Sequence, residues 1–219
     1  MKLYGKNNQY IFFLIILAVV FVLASCSKTK PEIPFGFIQL VLYESEAEPQ
    51  EFYSFFILAE DEDGFENLEE LYVYHDREQL RWHIKNDDWI SYTEDDKNWI
   101  GTRTLAVSEG SLPKGTYRAV LINKGGEKGE RSFIYDGGAR YPFPAINISD
   151  GRYTITSEWP VNRLVCYDRE GNFSITVELT SLSGSVSQLS LPSAVRTAAL
   201  WAEDPAYFCS AFTNVVSVR

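Results

Sequence analysis

Methionine and histidine are nearly absent from this 219-residue chain, which has one Met, at its start, and two His, His75 and His83. Neither histidine has a second His at metal-ligand spacing, and no His-Glu-x-x-His run occurs, so the common zinc-site layouts are missing. Each is read as a structural histidine with its polar atoms satisfied. Phosphate-binding loops of the GxGxxG or Lys-Ser/Thr type are also missing, as is a GxSxG nucleophile elbow. Basic residues are absent from one long stretch: Pro31 to Asp76 holds thirteen acids and no Lys or Arg. The chain as a whole carries a formal charge of −10. Binding phosphate needs a basic surface, so this balance argues against nucleic acid and against docking on anionic headgroups. Long Ala/Leu/Lys/Glu runs of the helical kind are lacking too, and no cofactor is expected.

What is present favours strands. Apolar residues make up 45% and aromatic residues 15% of the chain, enough for a packed core. Val, Ile, Tyr, Phe and Thr recur, the types that suit a pleated, half-buried surface. The expected fold class is all-β.

The N-terminus reads differently. Lys2 and Lys6 precede an apolar run from Ile11 to Leu23, the pattern of an export signal. Spanning a bilayer takes about 20 apolar residues, so the run is short for that purpose. Leu23-Ala24-Ser25-Cys26 follows and resembles the lipobox of bacterial lipoproteins. That resemblance implies that residues 1–25 are a cleaved signal peptide. It also implies that the Cys26 thiol takes a diacylglyceryl group and that the new amine is acylated, for example by palmitate. Two or more chains hold a protein stably where one does not. In enteric-type sorting an Asp after the cysteine favours the inner membrane; Ser27 therefore favours the outer. Cleavage removes two Lys and leaves a net charge of about −12.

Residues 26–34 form the lipidated cysteine and a polar tether with two prolines. Its eight residues after Cys26 reach at most roughly 28 Å, which keeps the body close to the membrane. Short alternating runs separated by turn signals follow, suggesting a β-sandwich over residues 35–136. One run, Leu68 to His75, would set Leu71, Val73 and His75 on one face and Tyr72 and Tyr74 on the other. Leu112-Pro113-Lys114-Gly115-Thr116-Tyr117 resembles the E–F corner of immunoglobulin-like and fibronectin III-like domains. The resemblance implies that the Tyr117 hydroxyl bonds back to nearby backbone. Residue 119 is Ala119, not Cys, so the usual inter-sheet disulfide of antibody domains is ruled out. Residues 137–151 read as a linker and 152–219 as a smaller β-rich part. Within it Asp168 to Gly171 is a hairpin turn and the Ser-rich stretch 181–193 a loop or edge strand. About 70 residues are few for an independent core, so this part should pack on the first.

Candidate sites are few. Trp89, Tyr92 and Trp99 lie among Asn, Asp and Glu, the mixture a sugar-binding surface uses; packing of the two tryptophans into the core is the competing reading. Asp61, Asp63 and Glu66 resemble the start of a calcium loop but lack its further ligands, so a surface turn and no metal is expected. Cys166 and Cys209 either form a disulfide, which export would permit, or stand as two buried free thiols. No activated nucleophile or base is apparent. The sequence points to a lipid-anchored, non-catalytic envelope protein whose partners are the membrane and an envelope protein or glycan. A carbohydrate-binding module and an envelope glycan hydrolase are the alternatives.

Overall fold

Alternation of buried and exposed side chains marks some strands, such as Leu68–His75 and Arg152–Thr156, and assigns each an inner and an outer face. The structure, a computed structural model, describes residues 29–108 and 110–218. The signal segment, Cys26 and Ser27 lie outside the described residues. The first half contains β1 (Glu32–Tyr43), β2 (Gln50–Glu60), β3 (Leu68–His75), β4 (Leu80–Lys85), β5 (Ile90–Glu94), β6 (Lys97–Leu105), β7 (Gly115–Asn123) and β8 (Lys128–Tyr135). The second contains β9 (Ala145–Ser149), β10 (Arg152–Thr156), β11 (Val161–Tyr167), β12 (Phe173–Glu178), β13 (Ser183–Ser185), β14 (Thr197–Asp204), β15 (Cys209–Phe212) and β16 (Val216–Ser217). Among the described residues the only helical pieces are single 3-10 turns.

The chain is all-β and sandwich-like, with three sheets. A nine-stranded sheet runs β12-β11-β14-β15-β1-β2-β6-β5, with β16 on β14. The sheet β4-β3-β7-β8 covers its β1/β2/β6 end, and the sheet β13-β10-β9 covers its β11/β14 end. Two cores result. The first packs Tyr53, Phe55 and Ile57 of β2 against Leu71 and Val73 of β3 and Tyr117 and Leu121 of β7. The second packs Tyr153 and Ile155 of β10 against Leu164, Cys166, Ala198 and Leu200.

The halves join edge to edge. Leu40–Tyr43 of β1 pairs in parallel with Cys209–Phe212 of β15. The Leu40 N–H donates to the Phe208 carbonyl at 2.9 Å and the Glu44 N–H to the Phe212 carbonyl at 3.1 Å. The C-terminal part thus extends the first half's sheet as well as packing beside it. The stretch 137–151, read as a linker, contains β9. There Ile146 and Ile148 point to the second core and the strand pairs with β10.

Local expectations meet their geometry at several points. Leu71, Val73 and His75 are buried and Tyr72 and Tyr74 lie on the opposite face. The Tyr117 hydroxyl donates to the Pro113 carbonyl at 2.5 Å, as the corner motif requires. The Tyr53 hydroxyl reaches the same carbonyl at 3.2 Å. Asp168 closes the β11–β12 turn, its carboxylate accepting from the Asn172 N–H at 2.9 Å. Ser183–Ser185 is an edge strand inside the Ser-rich stretch.

The proposed Cys166–Cys209 disulfide is not formed; both thiols are free and buried. Cys166 lies opposite Ala198 and Cys209 opposite Asp204 along β14. Six residues of strand separate those positions by roughly 20 Å, whereas a disulfide needs Cα atoms within about 7 Å. Each thiol fills its own core as a small apolar group.

Candidate functional site

Among the described residues, no second layer covers the outer face of the nine-stranded sheet, opposite both cores. That face forms a trough of about 680 Å³. Strand parity places the side chains. Ile38, Leu40 and Leu42 of β1 point into the first core, so Phe37, Gln39, Val41 and Tyr43 point out. Likewise Ser54 and Phe56 come from β2, Tyr92 from β5, Arg103 from β6, Ser210 and Phe212 from β15, and Trp201 from β14. Val165 and Tyr167 of β11 and Phe173 and Thr176 of β12 complete the far wall.

The rings form two groups along the face. Tyr92 and Trp99 face each other across β5 and β6 and stack with centroids 6.1 Å apart at 5°. Tyr92 meets Phe56 at 5.6 Å, and Phe56 stacks on Phe37 at 5.8 Å. Phe35 packs edge-on against Trp99 at 5.9 Å and keeps 53% of its surface exposed. Further along, Tyr43 meets Phe52 at 5.5 Å and Phe212 at 6.0 Å. Gly101 lets β6 approach β2 here, because a Cβ at that position would lie 2.0 Å from the Phe55 carbonyl oxygen. Burial, and then the Glu94 carboxylate, raises the Tyr92 phenol above its ordinary range, so it stays a neutral donor.

Polar groups punctuate the rings. Arg163 lies over the Trp201 ring at 5.0 Å and bonds Glu203 at 2.6 Å. Gln39 donates to the same carboxylate at 3.4 Å. Glu203 lies on the same face, opposite Ser210 across β14 and β15.

The structure brings together two of the three expected binding residues. Tyr92 and Trp99 belong to the first ring group. Trp89 sits in the β4–β5 turn, half-buried against the first core, where its N–H donates to the Lys85 carbonyl. Trp201, Phe37 and Phe212 went unnoticed in the sequence. The alternation of Ala198, Leu200 and Ala202 with Trp201 was the available signal for the first of these.

The other candidates are tied up internally. The Asp61 carboxylate accepts from the Asp63 N–H at 2.8 Å, from the Asn67 side chain at 3.2 Å and from the Asn123 side chain at 3.0 Å. That is a turn held by hydrogen bonds, and among the described residues no group of three or more His, Cys, Asp or Glu is placed to hold a metal. His75 Nδ1 accepts from the Glu78 N–H, so Nε2 carries the proton and donates to the Lys114 carbonyl at 3.2 Å. His83 stacks on Tyr72 at 4.3 Å and pairs with Glu70 at 3.5 Å.

No family model matches the chain, and no curated protein matches it. Among solved structures it is similar to Tp47, the 47-kilodalton lipoprotein of Treponema pallidum, with 14% identity and a TM-score of 0.43. That match covers 87% of this chain and 52% of Tp47, so the chain spans about half its length. It is also similar to latent PorU from Porphyromonas gingivalis, with 13% identity, a TM-score of 0.34 and coverage of 87% and 20%. Murine CEACAM1b matches at 9% identity and a TM-score of 0.26, covering 84% of this chain and 99% of that one.

Proposed function

We propose that this protein is a lipid-anchored, non-catalytic binding protein of the bacterial cell envelope, held through Cys26 at the outer membrane, and that the trough receives a glycan chain. The observation that carries the reading is the set of rings on the outer face, exposed at Phe35 and Tyr92 and buried at Phe56, interrupted by polar groups. Ring faces take the apolar C–H surface of a sugar. Gln39, Ser54, Arg103, Thr176 and Ser210 supply donors and acceptors for its hydroxyls. A shallow open trough suits a chain better than a small molecule, which sites usually enclose. Glycan hydrolysis would need two carboxylates flanking the scissile bond, about 5 to 10 Å apart. The Glu203 carboxylate beside the trough is held by both Arg163 and Gln39, which supports binding over turnover.

The test is capture of isolated envelope polysaccharides by the full-length protein in mild detergent. Binding should fall at least about tenfold in Tyr92→Ala and Trp201→Ala, with the melting temperature nearly kept, since exposed aromatics dominate recognition surfaces. Absence of binding to every envelope glycan tried, or binding indifferent to both changes, refutes the glycan reading. The anchor is tested separately: Cys26→Ala should lose fatty-acid labelling and accumulate as precursor.

A further inference from the structure

The edge of β1 is only half occupied. In β1 the even-numbered residues turn their main-chain groups toward β15, as the Leu40 and Glu44 bonds show. β15 pairs only with Leu40–Tyr43. From Leu40 back toward the start of β1 no described strand pairs with this lane of the edge, although β8 runs beside it. At its far end the Arg131 guanidinium bonds the Ile33 carbonyl at 3.1 Å and also the Pro34 carbonyl. Between these two closures lie Gly36 and Ile38, whose edge-side N–H and C=O groups meet no partner among the described residues. Ile38 is only 5% exposed, and Gly36 and Ile38 both line an adjoining groove of about 420 Å³. Unpaired main-chain groups in such a place are costly.

Natural sheets blunt their edges with Lys, Pro or a bulge. Here Pro34 and a register shift between Glu32 and Phe35 blunt the start of the strand, and the window from Gly36 to Ile38 is left open. Its rim carries three exposed apolar side chains: Phe35, Ile134 at 78% and Phe208 at 56% exposure.

We infer that this half-lane is a docking site for a short extended peptide segment of another protein, added to β1 as a strand in line with β15. Only an extended backbone offers donors and acceptors at the spacing that Gly36 and Ile38 present. The rim selects apolar side chains on the incoming segment. The chain's charge of −10, with no base between Pro31 and Asp76, repels a second copy and favours a neutral or basic partner. The site adjoins the trough, sharing Phe37 with it, but it rests on main-chain groups the glycan reading does not use, so its failure leaves that reading untouched.

The test uses the full-length protein in mild detergent and a phage-displayed library of random decapeptides. Amide hydrogen exchange at single-residue resolution should show Gly36 and Ile38 exchanging fast in the free protein and protected by selected peptides. Ile134→Asp, at a site too exposed to affect folding, should weaken those peptides about tenfold or more. N-methylation of alternate peptide amides should abolish binding. Protection of both amides in the free protein overturns the proposal. So does a library that yields no binder, or binders that leave Gly36 and Ile38 unprotected. Concentration-dependent dimerisation that protects the same amides assigns the lane to a second copy and overturns it too.

Discussion

The two halves of the molecule use one sheet but build unequal cores. In the first half, large rings meet between the layers: Tyr53 contacts Tyr135 at 4.7 Å and Tyr117 at 5.4 Å, and Phe55 contacts Phe133 at 5.5 Å. In the second half, Ala198 and Cys166 sit beside Leu164 and Leu200, and the covering sheet has only three strands. The difference teaches that the second half is not a free-standing unit. Ala202, Cys209 and Ala211 of its strands are buried in the first core, and its sheet is continued by β1. A small core stands when a larger neighbour supplies its missing edge.

Substitution in each core sharpens the contrast. Phe55→Ala, at a site with no exposed surface, should cost about 3 to 5 kcal/mol. Leu164→Ala, equally buried, should cost about 2 to 3 kcal/mol, because small neighbours let the site collapse in part. Urea unfolding measures both, and in both variants fluorescence and far-UV dichroism should share one transition. Two separated transitions would break the claim that the halves form one cooperative unit.

The tyrosine trio gives a smaller effect. Tyr117→Phe should cost about 1 to 2 kcal/mol, the range for losing a buried hydrogen bond. Tyr53→Phe should cost less, since its bond to Pro113 is longer by 0.7 Å. Equal losses, read from the same urea titrations, would deny Tyr117 its corner role.

The thiols should show no stability signature but a clear chemical one. Burial pushes Cys209 up to about 12 and raises Cys166 as well. Neither should react with a thiol reagent at pH 8 in the folded protein, and both should react at once in denaturant. Rapid labelling of Cys166 alone would show the second half opening independently and would undo the comparison.

Legibility in the sequence followed locality. β3 was readable because its alternation is strict and its far side is partly wet. The Asp168–Gly171 turn was readable because an acidic residue and a glycine bracket it. β5 escaped notice: Ile90–Glu94 is exposed along its whole length and shows no apolar face. β9 escaped because glycine and proline before it mimic a linker. The trough could not be read at all. Tyr92 and Trp99 are near in sequence, but Trp201 and Phe212 join them only through the pairing of β1 with β15. No local pattern announces a contact between Leu40 and Cys209.

That pairing sets an order of events. The edge of β1 from Leu40 to Tyr43 is covered by residues made about 170 positions later. At ordinary synthesis rates of about 5–20 residues per second, that is a wait of roughly 10 to 30 seconds. Contacts of such long range also close slowly, because the intervening chain must be brought back. Until β15 arrives, β1 stays open to pairing from Leu40 to Tyr43 as well. A chain halted before Phe208 would fold its first sandwich yet keep that stretch bare, and so β15 decides whether Leu40 to Tyr43 is safe from unwanted pairing.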